Sequence, residues 1–141
     1  MRFRTSTTPC LDCWHWLGFR IRCALLPDEP RLLELHWAQG RQLVEHGRLC
    51  PWRMSLTTLT LLMDTASDTA LPWHWRSVCL DHAYRSLYAL QHLAVDREQQ
   101  CNLIRVRNRL ATLRMQPSLS MSELAEGCLL YTSPSPRDRQ K

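Results

Sequence analysis

Apolar residues recur at intervals of three and four positions along this chain, which is the spacing that places side chains on one face of an α-helix. The first such stretch covers residues 11–26, and its predicted buried stripe is Trp14, Leu17, Ile21 and Leu25. The second ends near residue 46, and its predicted stripe is Leu33, Trp37 and Val44, widened by Leu32, Leu35 and Leu43. The pattern therefore predicts two amphipathic helices in the first third of the chain.

Three more helices are predicted beyond Gly47. The third begins at Pro51, and its apolar positions are Leu56, Leu59, Leu62, Met63 and Ala66. Residues 56–63 would also suit a buried strand, but a single strand would have no partner, so we expect a helix. The fourth begins after the Leu71-Pro72 break, and its stripe is Trp75, Cys79, Ala83, Leu87, Leu90 and Leu93. The fifth ends at Pro117, and its stripe is Leu103, Val106, Leu110 and Leu113.

Residues that favour helix ends separate these stretches. They are Asp28 as a cap of the second helix, Gly47 after it, Asp96 with Gln99 as a capping box, and Ser120 with Glu123 as another. The last pair predicts a short sixth helix over residues 121–127. We therefore predict an all-α fold, a compact bundle of about five antiparallel helices with a short sixth. Residues 1–10 are expected to be disordered, and residues 11–127 to form a single helical domain.

The end of the chain has a different character. Residues 128–138 read CLLYTSPSPRD and resemble the peptide that a widely used transposase-based sequencing adapter encodes in one frame. We therefore expect residues 128–141 to be an artefactual tail and the natural chain to end near Gly127.

Composition adds further bounds. The net charge is +5, with 18 basic and 13 acidic residues, and the only lysine is Lys141 in the tail. This arginine bias would also suit an unexpressed reading frame in GC-rich DNA, but four glycines are few for such a frame, and random sequence has no reason to carry helix caps. No apolar run approaches the roughly 20 residues that a membrane span needs. The N-terminus does not resemble a signal peptide, so we expect a cytoplasmic protein with reduced cysteines and no membrane association.

Cys10 and Cys13 form a CxxC pair, the sharpest local motif. Such a pair is typical of a redox dithiol or of half a zinc site. Cys79 and His82 lie one helical turn apart and could complete a Cys3His site. A structural zinc pair usually lies in a short knuckle rather than inside a long helix, so we favour no metal and expect no cofactor. The alternative, a metal-binding or thiol-redox protein using these four residues, stays open.

The tripeptide Trp-His-Trp occurs twice, at residues 14–16 and 73–75. Adjacent helical residues point about 100° apart, so the two tryptophans of one copy cannot both face the core. We expect Trp75 to be buried, and Trp73, one residue inside a helix start, to be more exposed. Trp73, His74, Trp75 and Arg76, with Arg76 solvated, would then form an interaction surface for an unknown protein partner. The alternative is that the tryptophans fill a small core.

Catalytic and nucleotide-binding signatures are absent from the sequence: it contains neither HExxH nor a glycine-rich phosphate loop. We therefore expect a non-enzymatic protein. Arg105, Arg107 and Arg109 raise a further alternative, a helical nucleic-acid-binding regulator. Helical residues two apart diverge by about 200°, so these side chains cannot form one basic strip, and nucleic acid is the less favoured partner.

Four segments resemble the FagA family, a group of small bacterial proteins. They are residues 61–64 (LLMD), 71–85 (LPWHWRSVCLDHAYR), 110–113 (LATL) and 118–120 (SLS). The family is named for its gene's place in an iron-repressed cluster, beside a fumarase and a manganese superoxide dismutase. The resemblance implies a cytoplasmic protein made during iron starvation, and we expect it to act by protein contacts in the bacterial iron-limitation or oxidative-stress response. It implies no catalytic or binding residue, and it does not reach the CxxC pair.

Overall fold

Five α-helices make up the structure, a computed structural model that describes residues 10–119. The helices are α1 (Leu11–Arg22), α2 (Arg31–Glu45), α3 (Pro51–Ser67), α4 (Trp73–Leu93) and α5 (Arg97–Thr112). Residues 10–119 contain no strand, so the all-α prediction is confirmed and the strand alternative for residues 56–63 is wrong. The predicted sixth helix, most of the predicted disordered N-terminus and the tail lie outside the described residues.

The neighbours of two glycines show how α1, α2 and α3 run relative to one another. Gly18 in the middle of α1 lies against His36 of α2, and Gly40, near the end of α2, lies against Trp14 near the start of α1. Gly40 also meets Met54, near the start of α3. A residue near the start of one helix thus meets a residue near the end of its neighbour in each pair, which confirms the antiparallel arrangement of these neighbours.

Several side-chain hydrogen bonds lie at the end of the bundle where α4 begins. Arg76 near the start of α4 binds the carbonyl oxygen of Ala66 near the end of α3, and Ser118 after α5 binds Arg76. His74 pairs with Asp28, just before α2. The α3–α4 pair, which has the most extensive contacts in the bundle, is therefore antiparallel as well.

The predicted stripes account for most of the buried core. The stripe residues that are buried as predicted are Trp14, Leu17, Ile21, Leu32, Leu33, Leu43, Leu59, Leu62, Met63, Ala66, Trp75, Cys79, Ala83, Leu90, Leu103 and Leu110. Leu25 and Leu35 were predicted to be buried but are exposed by 49% and 46%. The second error reflects a rotated face, since α2 buries His36 and Gly40 rather than Leu35.

Helix α1 ends four residues earlier than predicted, at Arg22 rather than near residue 26. Ala24 has a φ of 50°, and the N–H groups of Ala24 and Leu25 donate to the carbonyls of Ile21 and Arg20. This is the Schellman ending, in which a residue in the left-handed conformation stops a helix. Leu25 therefore lies past the helix and cannot continue its stripe.

The other predicted helix ends are mostly confirmed. Gly47 has a φ of 71°, Pro51 opens α3, and Asp96 with Gln99 forms the capping box of α5. The predicted Asp28 cap is wrong, because α2 begins after Pro30 without a side-chain cap. The fifth helix ends at Thr112, before Pro117.

None of the helices in residues 10–119 combines the length and the apolar character that crossing a lipid bilayer requires.

Candidate functional site

The four residues predicted as an interaction surface divide into two exposed and two buried side chains. Trp73 is 49% exposed and His74 is exposed, whereas Trp75 and Arg76 are fully buried. The Trp75 indole donates from Nε1 to the carbonyl oxygen of Ile21 at 3.0 Å. The prediction that Trp73 is the less buried tryptophan is therefore confirmed, and the four residues cannot all face a partner.

The prediction of a solvated Arg76 is wrong. Its Nε donates to the carbonyl oxygen of Ala66 at 2.9 Å, and its Nη1 donates to the Ser118 hydroxyl at 2.8 Å. The guanidinium lies 5.4 Å from the centre of the Trp73 ring. Burial lowers the pKa of Arg76, although the Asp68 carboxylate opposes that effect. Helix α3 ends with unsatisfied carbonyl groups, and Arg76 supplies a donor for one of them.

A larger exposed apolar feature lies on α1. Trp16 and Phe19 are 56% and 50% exposed, and their rings stack with centres 5.3 Å apart and planes inclined by 19°. Such pairs commonly lie inside a core or an interface, because each ring offers much apolar area. Here both rings face outward, which leaves that area in contact with water.

An open groove runs between α1 and α2. It is lined by Arg20, Leu26, Glu29, Arg31, Leu32, Glu34, Leu35 and Ala38. Trp16 precedes Arg20 by one helical turn, so the aromatic stack extends the α1 wall of the groove. We call Trp16, Phe19 and these lining residues the α1–α2 groove.

The charges in the α1–α2 groove are unevenly compensated. Glu29 forms an ion pair with Arg31 at 3.1 Å, and Glu34 forms a bidentate pair with Arg85 of α4 at 3.1 and 2.9 Å. Among the ion pairs of residues 10–119, none includes Arg20, which is only half-buried. The groove therefore presents one uncompensated positive charge beside apolar walls.

A buried histidine that the sequence did not single out lies under α1. His36 stacks on Trp14, with ring centres 4.9 Å apart, and its carbonyl oxygen accepts from Trp14 Nε1 at 3.0 Å. Its side chain is almost fully buried, and this burial lowers its pKa to about 4. His36 is therefore neutral near pH 7.

Next to His36 is a small, partly open cavity between α2, α3 and α4. Its lining residues are Leu33, His36, Trp37, Thr58, Leu62, His82, Arg85 and Ser86, and its volume is about 10 Å³. That volume suits about one water molecule. The Thr58 and Ser86 hydroxyl oxygens are buried there without a hydrogen-bond partner within the described protein. The cavity is too small to admit a substrate.

The proposed Cys3His ligands do not come together. Cys10 and Cys13 are exposed at the start of α1, whereas Cys79 is buried in the core and its pKa is raised to about 12 by burial. His82 instead lies 3.9 Å from Glu34, and its pKa is lowered mainly by partial burial. Within residues 10–119, no group of three histidine, cysteine or acidic side chains could hold a metal ion.

The three α5 arginines are all exposed, and two of them have partners within the bundle. Arg109 binds Asp64 of α3 at 2.7 Å, and Arg105 binds Asn102 at 3.0 Å. Arg109 is therefore compensated by a carboxylate, whereas Arg105 bonds a neutral amide, and the nucleic-acid alternative stays a prediction.

Comparison with known proteins adds no further constraint. No protein-family model matches the chain, and no curated protein and no solved structure is significantly similar to it. The FagA resemblance therefore stays a prediction.

Proposed function

We propose that this protein acts by binding a protein partner through the α1–α2 groove. The observation that carries the proposal is the outward-facing stack of Trp16 and Phe19, one helical turn along α1 from Arg20, together with the exposed Leu26 and Leu35 of the groove that Arg20 lines. Contiguous exposed apolar surface is typical of interaction sites, and aromatic residues dominate the energetics of such sites. The groove thus replaces Arg76 and Trp75 as the main contact surface.

The groove favours a helix as its occupant. Two antiparallel helices with an apolar floor suit the apolar face of an amphipathic helix, whose anchors recur at positions i, i+3 or i+4, and i+7. Arg20 has no carboxylate partner among residues 10–119, so we expect the bound helix to carry an acidic residue opposite it. Half-exposed aromatic rings each offer on the order of 100 Å² of apolar surface, and covering that area contributes about 2–3 kcal/mol.

The FagA resemblance would place this contact in the bacterial response to iron limitation. Trp73 and His74 lie at the α1–α2 loop end of the bundle, where His74 binds Asp28 at 3.1 Å. They would therefore form an adjoining part of the contact surface. The role proposed for the protein is that of a binding partner, and it requires neither a metal nor a cofactor.

Site-specific photo-crosslinking tests this proposal. A benzoylphenylalanine placed at Trp16, in cells grown under iron limitation, should crosslink one partner protein through a helical segment. The matched control is the same probe at Tyr88, an aromatic residue of α4 that is 65% exposed and outside the groove. Crosslinking of the same proteins from both positions would argue against a specific groove.

Binding of the purified partner helix then provides the decisive measurement. Phe19→Ala should weaken binding by at least about 2 kcal/mol, the range of an interface hot spot. Arg20→Glu should also weaken it, and exchanging the partner's carboxylate for lysine should restore binding to Arg20→Glu. If Tyr88→Ala weakens binding as much as Phe19→Ala, or if the crosslinked partner is a second copy of this chain, the proposal is wrong.

A further inference from the structure

Two cysteines lie at the first turn of α1. Cys10 is the N-cap residue with extended backbone (φ −117°, ψ 122°), and its Sγ accepts a hydrogen bond from the backbone N–H of Cys13 at 3.4 Å. Both side chains are exposed. A helix N-terminus stabilises a thiolate, because its free N–H groups and its dipole favour negative charge there. The fold therefore presents the CxxC pair in the position where thiolates form most readily.

The two thiols are not equivalent. A hydrogen bond from the Cys13 thiol lowers the pKa of Cys10, and the Cys13 backbone N–H acts in the same direction. The same thiol–thiol contact raises the pKa of Cys13. The carboxylate of Asp12 between them raises both pKa values, but it is the weaker influence. Cys10 is thus the more acidic thiol of the pair.

Cys50 and Cys79 lie in surroundings that differ from those of the Cys10–Cys13 pair. Cys50 is also exposed at the N-cap of a helix, but its side chain makes no capping hydrogen bond, and position 53 is an arginine. Cys79 is buried, and its pKa is raised to about 12. Cys50 therefore provides a matched internal control for an N-cap thiol without a second cysteine one turn later.

We infer that Cys10 and Cys13 form a thiol–disulfide exchange site whose substrates are disulfides, with Cys10 as the nucleophile and Cys13 as the resolving thiol. The inference rests on the exposed position of the two cysteines at the start of α1 and on the hydrogen bond from the Cys13 backbone N–H to Cys10 Sγ. It does not depend on the groove, because exchange with a small disulfide needs no partner protein.

The exchange conserves atoms and electrons. The Cys10 thiolate attacks one sulfur of the substrate disulfide, forming a mixed disulfide and releasing the other half as a thiolate that takes up a proton. Cys13 then loses its proton and attacks Cys10 Sγ, which forms the Cys10–Cys13 disulfide and releases the second half as a thiol. The protein dithiol is oxidised by two electrons, and the substrate disulfide is reduced to two thiols.

The test uses the reduced full chain and oxidised glutathione, with intact-protein and peptide mass spectrometry as the readout. The wild type should form the Cys10–Cys13 disulfide, seen as the loss of two hydrogen atoms and a linked peptide. Cys13→Ser should lose this product and accumulate glutathione on Cys10. Cys10→Ser should lose the disulfide while keeping the fold, since serine is itself a strong N-cap. Cys50→Ser should behave like the wild type.

Two results would overturn the inference. One is a wild type that accumulates glutathione on Cys10 without forming the internal disulfide, which would show that Cys13 cannot resolve it. The other is a Cys13→Ser variant in which Cys50 is modified as fast as Cys10, which would show that the first thiol has no special reactivity. Circular dichroism of each variant confirms that the helices are intact, and the groove-binding measurement is unaffected by either result.

Discussion

Acid should destabilise this protein through His36. The imidazole is almost fully buried against Trp14, and its pKa is lowered from 6.5 to about 4 by burial. In the unfolded chain the same imidazole takes up a proton near its ordinary pKa. Between about pH 6.5 and pH 4 the unfolded state therefore holds one more proton than the native state, and stability falls as the pH falls.

The magnitude follows from the width of that window. Each pH unit within it changes the free energy of unfolding by about 1.4 kcal/mol, so His36 removes about 3 kcal/mol between pH 7 and pH 4. A small domain has about 5–15 kcal/mol of stability in total, so this loss is a large part of it. Below pH 4 the native state is protonated as well, and His36 contributes no further loss.

Urea unfolding followed by far-UV circular dichroism, at a series of pH values, measures this effect. His36→Phe keeps a ring against Trp14 but cannot take up a proton, so the wild type should lose about 3 kcal/mol more than this variant on acidification to pH 4. Comparing the two removes the contribution of carboxylates such as Glu34 and Asp68, which titrate in both proteins. The same pH dependence in both, or a His36 pKa near 6.5 by NMR titration, would refute the reasoning.

Three further predictions concern stability, and urea unfolding tests each. Ala24→Gly should raise the free energy of unfolding by about 1 kcal/mol, because Ala24 has a φ of 50°, in the left-handed region that favours glycine. Gly47→Ala should lower the free energy of unfolding by a similar amount, because Gly47 has a φ of 71°. Effects of the same sign at both positions would contradict this reasoning. Gly40→Ala should lower stability by about 1–3 kcal/mol, because the new Cβ would lie 2.5 Å from Met54 Cε and 3.0 Å from Trp14 Nε1. Gly18→Ala, whose Cβ would approach nothing closer than 3.5 Å, should not lower stability, and an equal loss at both glycines would contradict the close approach at Gly40. Arg76→Ala should lower the free energy of unfolding by about 2–4 kcal/mol, because the Ala66 carbonyl and the Ser118 hydroxyl lose their hydrogen-bond donor. Trp73→Ala should lower it by much less. Equal losses for the two variants would show that the Arg76 hydrogen bonds contribute little.

Helix ends were predictable from sequence wherever a residue type signals its own backbone conformation. Gly47 and the Asp96–Gln99 box are such signals, because left-handed backbone favours glycine and capping needs a short polar side chain. Ala24 gives no such signal, although it adopts the same conformation as Gly47. The end of α1 was therefore placed too late, and Leu25 was assigned to the core.

Burial was harder to predict where a polar residue belongs to the apolar face. Helix α2 buries Leu32, Leu33, His36, Gly40 and Leu43, which is a regular three- and four-residue pattern. When only the apolar residues of α2 are counted, the predicted buried face is rotated away from His36 and Gly40 toward Trp37 and Leu35. Arg76 was missed for a related reason: an arginine in an arginine-rich chain is expected in solvent, and only the packing of α4 against the end of α3 reveals its acceptors.

Both candidate sites, the α1–α2 groove and the Cys10–Cys13 pair, involve side chains of α1 that do not face the core. The buried side of α1 is fixed by Trp14, Leu17 and Ile21, which were readable from their spacing. A neighbouring face, roughly 100° around the helix, carries Cys13, Trp16 and Arg20, which successive steps of three and four residues keep close together. Packing within residues 10–119 does not account for that face, since its thiol is exposed, its indole is half-exposed and its guanidinium has no ion pair there. A helix bound in the groove would cover the Trp16 and Arg20 part of that face.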